Sequence, residues 1–249
     1  FLIQLDGKSH SYFSSIFIRS RLKGCLNFQK QKRIFGKKIT VSRPNTIIKY
    51  FFSKCIISKE DYNIKENNEY HYLTLYLKLI SLFGIKIKHR KHYFPKINFN
   101  NKSKFDDKYI YIHIDERWSQ YNNYILDSLC SIVKNLSETQ KIVISSNKNG
   151  NFFFDKISKI FNSFDNIDII KGPDVKDVVS LIYFSHTCIS NHSGLIVHLA
   201  AALKKNVIDV VSKDIYNELD RWVPLDISYK RVDIDKFVSS DFVYLNDAQ

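Results

Sequence analysis

With 249 residues, 44% of them hydrophobic, the chain can form one large domain or two small ones around a substantial core, and this composition excludes an intrinsically disordered protein. No apolar run reaches the roughly 18 residues that a membrane-spanning helix requires. The net charge of +13 favours anionic partners, either nucleic acid or acidic lipids and phosphorylated substrates, although a generally Lys-rich composition explains the charge equally well.

The four cysteines are scattered along the chain without a C-x-x-C pair: Cys25, Cys55, Cys130 and Cys188. This spacing argues against a metal cluster or a disulfide framework. It predicts reduced, mostly buried thiols, as expected for a cytoplasmic protein. The sequence contains no Met and begins at Phe1 within an apolar run, so we also expect a fragment whose true start lies upstream.

The first half has an irregular succession of elements. Hydrophobic spacing predicts, in chain order, a strand at 1–5, a helix at 12–22, a strand at 33–41 with a turn at 36–37, a helix at 47–57 and a helix at 70–83. The basic run at 85–92 has two interpretations: a solvated strand edge, which we favour, or a surface that faces phosphate or lipid. The polar stretch at 95–108 predicts a linker between a partial domain at 1–94 and a second domain at 109–249.

The second half alternates strands and helices regularly. Strands are predicted at 109–114, 141–145, 167–170, 187–190 and 206–211, and helices at 121–136, 152–164, 175–184 and 195–203. This alternation through short loops predicts an α/β fold with a parallel sheet covered on both faces. Because ligands of such sheets bind at the carboxyl ends of the strands, we expect four loops to converge on one edge: 115–118, 146–150, 171–174 and 191–194.

The turn at 191–194 and the helix after it form the most informative stretch. Leu195, Leu199 and Ala202 are spaced to share one apolar face of the helix. The first amides of a helix have no intrahelical acceptor and lie at the positive end of its dipole. The backbone at Ser193 and Gly194 could therefore hold an anion such as a diphosphate. An ordinary connection between a strand and a helix is the alternative interpretation.

The loop after the first strand of the second half contains Asp115, Glu116, Arg117 and Trp118. The planar fork of an Arg side chain matches phosphate oxygens. The two carboxylates are expected either to bind sugar hydroxyls or to cap the following helix. Trp118 is expected to fill the edge of the sheet rather than to pack beside a sugar or a base.

Several common chemistries are disfavoured by the sequence. His192 and His198 lie on different sides of the turn and have no accompanying set of carboxylates, so we expect no metal site. No G-x-G-x-x-G, G-x-x-x-x-G-K-[ST] or G-x-S-x-G pattern occurs. Their absence argues against nicotinamide binding, P-loop hydrolysis and α/β-hydrolase chemistry.

Several stretches resemble glycosyltransferase family 9, the lipopolysaccharide heptosyltransferases. Residues 190–203, S-N-H-S-G-L-I-V-H-L-A-A-A-L, resemble the family's S-x-D-S-G-x-x-H-x-A-A-A-L block, and residues 169–182 resemble the G-x-(T/S)-x-x-(E/D)-x-x-x-L-I segment that precedes it. Residues 113–118, H-I-D-E-R-W, are similar to the family's H-x-D-E-K-W. Residues 1–11 and 72–85 are similar to its I-D-x-Q-G-x-x-K-S loop and its Y-L-x-L-L-x-x-L-G-I helix.

The resemblance implies a GT-B-like α/β fold, in which two Rossmann-like domains with parallel sheets face a cleft and the N-terminal domain is incomplete here. It implies an inverting, metal-independent transfer of a sugar, usually a heptose, from a nucleotide-diphosphate donor such as ADP-heptose. The implied acceptor is the lipopolysaccharide core or another cell-envelope glycolipid. No cofactor is implied beyond the sugar nucleotide, and no nucleic acid is expected as a partner. The expected location is the bacterial cytoplasm, with peripheral contact to the anionic inner membrane.

The resemblance also implies two sets of donor-site residues. The set at the donor phosphates is Arg117, Ser193 and Gly194. The set that lines the rest of the donor site is Asp115, Glu116, Asn191, His192 and His198. The sequence departs from the family pattern at His192, where the family has Asp, at 146–150, which lacks an acidic residue for the ribose, and at 210–213, which lacks a Phe-Gly turn. An inverting transfer needs a base for the acceptor proton, and we expect that base upstream of Phe1.

Two other hypotheses stay open. The departures, His192 above all, also suit a non-catalytic relative that binds a sugar nucleotide without transferring the sugar. A basic nucleic-acid-binding protein is a weaker hypothesis, because the sequence contains no recognisable nucleic-acid-binding module.

Overall fold

The computed structural model describes residues 2–4, 9–35, 37–59, 71–86, 108–121, 123–149, 152–224 and 227–239 of the chain. The chain forms two compact units, Phe1–Lys91 with Tyr216–Val223, and His92–Ile215 with Pro224–Gln249. Nearly all of the predicted linker at 95–108, and positions 87–92 of the basic run, lie outside the described residues. The predicted domain boundaries therefore stay predictions.

The described residues of the first unit form a four-stranded sheet and short helices. Its elements up to residue 81 are β1 (Leu2–Gln4), α1 (Ser9–Phe17), β2 (Lys23–Ile34), β3 (Lys37–Arg43), α2 (Thr46–Lys49), β4 (Lys54–Lys59) and α3 (Tyr72–Ser81). The strand β2 pairs parallel with β1 and β4, and antiparallel with β3. A short turn at the predicted position joins β2 to β3, and strands joined in this way pair antiparallel. The sheet is therefore mixed, whereas we predicted a parallel one.

The predicted helix at 47–57 is wrong because the chain becomes a strand within this range. Its helical part is the short α2, and β4 follows. Ser53 Oγ accepts a hydrogen bond from Lys23 N at 3.1 Å and donates one to Lys23 O at 2.9 Å, which aligns the start of β4 with β2. Pairing with β2 outweighs the helical spacing of this short apolar run. The helix predicted at 12–22 likewise ends early, before β2 begins.

The second unit is built on six parallel strands. Its main elements are β5 (Tyr109–Ile114), α4 (Asn123–Ser137), β6 (Lys141–Ser146), α5 (Phe152–Phe161), β7 (Ile167–Ile170), α6 (Val175–Phe184), β8 (Thr187–Ser190), α7 (Gly194–Ala202), β9 (Asn206–Val211), β10 (Tyr229–Asp233) and α9 (Ile234–Ser239). The 3₁₀ turns are Glu116–Gln120 and Lys213–Ile215, and α8 (Tyr216–Leu219) belongs to the first unit. The strand order is β10–β9–β8–β5–β6–β7.

No helix of the described residues is long and apolar enough to cross a membrane.

Most of the predicted second half is confirmed. The bounds of β5, β7, α6, β8 and β9 match the predictions residue for residue, whereas β10 and α9 have no predicted counterpart. Two apolar layers cover the sheet, as predicted: Ile112 and Ile144 pack in the layer with α4, α5 and α9, and Tyr111 and Val143 in the layer with α6 and α7. Burial on both faces explains why these strands are apolar throughout.

Helix α7 buries a different face from the one that we predicted through Leu195, Leu199 and Ala202. Ile196 and Val197 are buried against the sheet, whereas Leu195 is 54% exposed. Nearly every residue of this helix is apolar, so the spacing alone fits several faces. Packing of α7 on β8 and β9 selects the buried one.

The Ile196→Ala variant is expected to unfold with a free energy about 2–5 kcal/mol below that of the wild type, because the side chain is 1% exposed and its removal leaves a cavity. Leu195→Ala, one position earlier on the same helix, is the matched control, with an expected change within about 0.5 kcal/mol. Urea unfolding followed by circular dichroism measures both values. An equal loss of unfolding free energy in the two variants would contradict the observed burial of the Ile196 face of α7.

Candidate functional site

The loops that follow four strands meet at one edge of the second sheet, called the carboxyl edge below. β5, β6, β7 and β8 are parallel, so they all end on this side. Asn147, which follows β6, donates its amide to the carboxylate of Glu116, which follows β5. Gly172 N, which follows β7, donates to Ser146 Oγ at 3.4 Å. The predicted convergence of these loops is confirmed for their described residues.

Helix α7 begins with an open N-terminus at the carboxyl edge. Ser193 is its N-cap residue and makes no side-chain capping bond to the helix. Val197 N donates to Ser193 O at 2.9 Å, and the amides before it are those that lack intrahelical acceptors. A Cβ atom placed on Gly194 would meet no described atom within 4 Å other than those of its chain neighbours and of its own helix backbone. An anion therefore has space to approach the positive end of this helix.

A buried carboxylate joins the ends of β5 and β8. Asp115 is 3% exposed and accepts a hydrogen bond from Arg117 N at 3.1 Å, and the Ser193 side chain lies close enough to affect its pKa. Burial raises the pKa of Asp115, and the hydrogen bond from Arg117 N and the nearby Ser193 side chain oppose the rise. Asp115 thus caps the 3₁₀ turn, which is one of its two predicted roles. The carboxylate lies close to both Arg117 and Ser193, two predicted phosphate-binding residues, at the same edge.

Arg117 has a hydrogen-bond donor without a partner in the described part of the chain. Its Nη1 atom is buried and makes no hydrogen bond with the described residues, although the side chain as a whole is partly exposed. An unpaired buried donor costs free energy, so a movement of the side chain that brings Nη1 to a ligand oxygen would be favourable. The next residue, Trp118, is fully buried and donates Nε1–H to His113 O at 3.0 Å. It fills the edge of the sheet, as predicted.

Asp209 in β9 fixes the turn that precedes α7. This fully buried carboxylate accepts hydrogen bonds from His192 N at 2.7 Å, from His192 Nδ1 at 2.6 Å and from the Tyr229 hydroxyl at 2.6 Å. His192 has a φ of 44°, which is unfavourable for a residue with a side chain. The two hydrogen bonds to Asp209 hold it in this conformation. Because Nδ1 donates to the carboxylate, Nε2 is the ring nitrogen left for a ligand.

Sequence patterns do not single out Asp209 or Tyr229. The one signal that could have found Asp209 is its place as a carboxylate within the apolar strand N-V-I-D-V-V. A charged side chain in a sheet covered on both faces needs hydrogen-bond donors from the protein. Burial raises the pKa of Tyr229, which keeps the phenol protonated and able to donate to Asp209. Tyr229 lies in β10, which no sequence pattern predicts, so only the tertiary structure shows this pairing.

The other predicted lining residues differ in accessibility. Asn191 is 4% exposed, and its amide donates to the Tyr121 hydroxyl at 2.9 Å and to Val210 O at 2.6 Å. It therefore supports the turn from the interior. His198 is exposed on α7, and Glu116 is exposed at the carboxyl edge.

A chain of hydrogen bonds holds Glu116 in place. His113 Nδ1 lies 3.0 Å from Ser145 Oγ, and His113 Nε2 lies 3.1 Å from Asn147 Oδ1. Burial lowers the pKa of His113, so the ring is neutral at pH 7 and donates its Nε2 proton to Asn147. Asn147 in turn donates to Glu116. The carboxylate of Glu116 is thereby tied to the core of the sheet.

Two further observations concern possible ligands elsewhere in the second unit. No group of three or more His, Cys, Asp or Glu side chains among the described residues is arranged to hold a metal ion. A cavity of about 410 Å³ lies between α5 and the end of β7 and is lined by none of the predicted site residues. Its Lys171 is paired with Asp155 at 3.3 Å. The open start of α7 therefore stays the candidate site.

Comparison with solved structures identifies proteins of the same fold. The Escherichia coli heptosyltransferase WaaC, solved with ADP, matches with a TM-score of 0.64 and 11% identity over 99% of this chain and 72% of its own. A glycosyl transferase family 9 protein from Veillonella parvula matches with a TM-score of 0.64 and 9% identity, over 94% of this chain and 63% of its own. The E. coli ADP-heptose lps heptosyltransferase II matches with a TM-score of 0.55 and 13% identity, over 92% of this chain and 67% of its own.

These likenesses confirm the predicted GT-B-like α/β fold and, at the level of fold, the resemblance to glycosyltransferase family 9. The chain spans about two thirds of the length of the structures that it matches. No protein-family model and no curated protein matches its sequence. The assignment of individual site residues thus depends on the geometry of this chain.

Proposed function

We propose that the protein is a glycosyltransferase that moves a sugar, in the first instance a heptose, from a nucleotide-diphosphate donor of the ADP-heptose type to a lipopolysaccharide-core or other cell-envelope glycolipid. The fold supports this proposal, since proteins that share it include a heptosyltransferase solved with ADP. The observation that carries it is the open N-terminus of α7, which lies at the same edge as the unpaired donor of Arg117.

In the proposed reaction an acceptor hydroxyl attacks the anomeric carbon of the donor sugar and gives up its proton to a general base. The bond between that carbon and the diphosphate oxygen breaks, and the diphosphate leaves with the bonding electrons. The amides at Ser193 and Gly194 and the guanidinium of Arg117 stabilise the charge that develops on the leaving group. The proposal includes inversion at the anomeric carbon and transfer without a metal, as the resemblance implies.

We assign His192 to the donor site together with Asp209. Asp209 holds the ring through Nδ1, and the ring is partly exposed beside the start of α7. Its Nε2 is thus available to a phosphate or sugar oxygen. The family pattern has a carboxylate at position 192, and here the nearby carboxylate is supplied by Asp209 from the neighbouring strand β9.

A non-catalytic relative that binds a sugar nucleotide without transfer is the alternative. It is favoured by His192 in place of Asp and by the lack of a carboxylate at 146–150. Calorimetric titration with ADP and UDP sugars, paired with a transfer assay on a glycolipid acceptor, separates the two. Binding without transfer supports the alternative, and transfer supports the enzyme.

We also propose peripheral contact with an anionic membrane on its cytoplasmic side. The chain has a net charge of +13, and the first unit exposes apolar side chains on α1 and around α2: Phe13, Phe17, Ile47 and Tyr50. The two helices pack against each other. Exposed apolar groups on a positively charged protein suit an interface rich in acidic lipids.

Replacing Arg117 by Ala is expected to raise the donor KM and to lower kcat, with a combined loss in kcat/KM of about 10²-fold, because a charged donor to the leaving group is removed. The protein's stability should not fall through a lost hydrogen bond, since Nη1 makes none with the described residues. Lys134→Ala, which removes a positive charge from an exposed position of α4, is the control. Steady-state kinetics measure both variants, and turnover of Arg117→Ala equal to wild type would remove this residue from the phosphate site.

The Gly194→Ala variant is expected to separate binding from stability. A Cβ there meets no described atom beyond its chain neighbours and its own helix backbone, so folding should be unharmed or improved by about 0.4–1 kcal/mol. The same methyl group occupies the space that a phosphate would enter. Donor affinity should therefore fall about tenfold, which is about 1.4 kcal/mol of binding free energy. Thermal unfolding and calorimetric titration measure the two effects, and unchanged affinity in the folded variant would place the phosphate elsewhere.

Sedimentation with vesicles tests the membrane contact. The wild type should bind vesicles that contain phosphatidylglycerol more tightly than vesicles of phosphatidylcholine, and added salt should weaken the binding. Phe17→Ser should reduce binding severalfold, since Phe17 is 73% exposed on α1 and available to insert. Phe152→Ser, at an exposed Phe of the second unit, is the matched control. Equal binding by both variants and the wild type would contradict the proposed surface.

A further inference from the structure

Two cysteines of the first unit lie side by side on neighbouring strands. Cys25 in β2 is the direct parallel partner of Cys55 in β4, and their Sγ atoms are 3.2 Å apart. A disulfide bond is about 2.05 Å long, so the two sulfurs need to approach by only about 1.1 Å. The pair is therefore positioned to react internally after a small movement of the side chains.

Access from solvent differs between the two sulfurs. Cys25 is fully buried and packs with Tyr12 and Phe52. Cys55 is half-buried and lines a cavity of about 390 Å³ together with Lys49, Tyr50, Phe52 and Ser53. A small reagent that enters this cavity meets Cys55 first.

The surroundings favour the thiolate of Cys55. The hydrogen bond from Cys25 has the largest effect and lowers the pKa of Cys55; the positive charge of Lys49 lowers it further, against the effect of partial burial. The same hydrogen bond, together with burial, raises the pKa of Cys25, which stays protonated. Because the thiolate is the nucleophilic form, Cys55 is the attacking group and Cys25 the second, resolving group.

We propose that Cys55 is a site of oxidation by hydroperoxides and that Cys25 converts the product to a disulfide, independently of sugar transfer. The Cys55 thiolate attacks one peroxide oxygen, the O–O bond breaks, and the other oxygen leaves as hydroxide or alkoxide and takes up a proton. The sulfur has then lost two electrons to the peroxide and is a sulfenic acid. The Cys25 sulfur attacks the Cys55 sulfur, the S–S bond forms, and the hydroxyl group leaves as water with the proton of Cys25.

Cys130 in the second unit is an internal comparison at similar exposure. It is half-buried, as Cys55 is, but burial and the nearby Asp127 raise its pKa to about 11. Exposure alone would make the two cysteines react alike. The pairing of Cys55 with Cys25 is expected to make Cys55 react faster than Cys130.

The experiment treats the reduced, folded chain with hydrogen peroxide at pH 7 and maps its cysteines by mass spectrometry. We expect a peptide that links Cys25 to Cys55, with a mass lower by one hydrogen molecule and restored by dithiothreitol. Cys25→Ser should stop at the sulfenic acid, trapped by dimedone on Cys55, and Cys130→Ser should behave as the wild type. Iodoacetamide should modify Cys55 at least about tenfold faster than Cys130.

Two results would overturn the proposal. One is peroxide treatment of the wild type that leaves Cys25 and Cys55 reduced. The other is oxidation or alkylation that reaches Cys130 as quickly as Cys55. Both are measured on the wild-type chain, so they remain decisive even if a variant fails to fold.

Discussion

The turn that opens the candidate site depends on one buried carboxylate. Asp209 is fully removed from solvent, and a charge at that depth is tolerated only when hydrogen bonds compensate for its lost hydration. Two of its three donors belong to His192, whose positive φ forms the turn. The carboxylate thereby fixes the direction in which the chain enters α7. The space beside Gly194 follows from this path of the backbone.

Three neighbouring strands bring the parts of this site together. Ser190, at the end of β8, lies opposite His113 of β5 on one side and Asp209 of β9 on the other. The residues just beyond these strand ends are consequently adjacent, although they are far apart in the sequence. Asp115 completes the arrangement because it accepts a hydrogen bond from Arg117 N and lies close to the Ser193 side chain. Strand order, rather than any local motif, makes an anion site from these groups.

The fold and the chemistry of the site support the proposed function in separate ways. The GT-B-like fold is shared with heptosyltransferases, but a fold by itself does not establish an activity. The open helix start and the unpaired Nη1 of Arg117 give the chemical reason to expect a phosphate-bearing ligand. The cysteine pair lies in the other unit, and its chemistry needs no sugar nucleotide. The two proposals can therefore fail independently.

The sequence by itself determined five of the six described strands of the second sheet and two of the groups at its carboxyl edge. Short apolar strands alternating with helices are a local signal, so β5 and β8 are predictable to the residue, as are the Arg117 loop and the Ser193 turn after them. Only the tertiary structure decided which face α7 buries, that 47–57 contains a strand, and that Asp209 binds His192 and Tyr229. Each of these depends on a partner distant in the chain, and hydrophobic spacing contains no information about that partner.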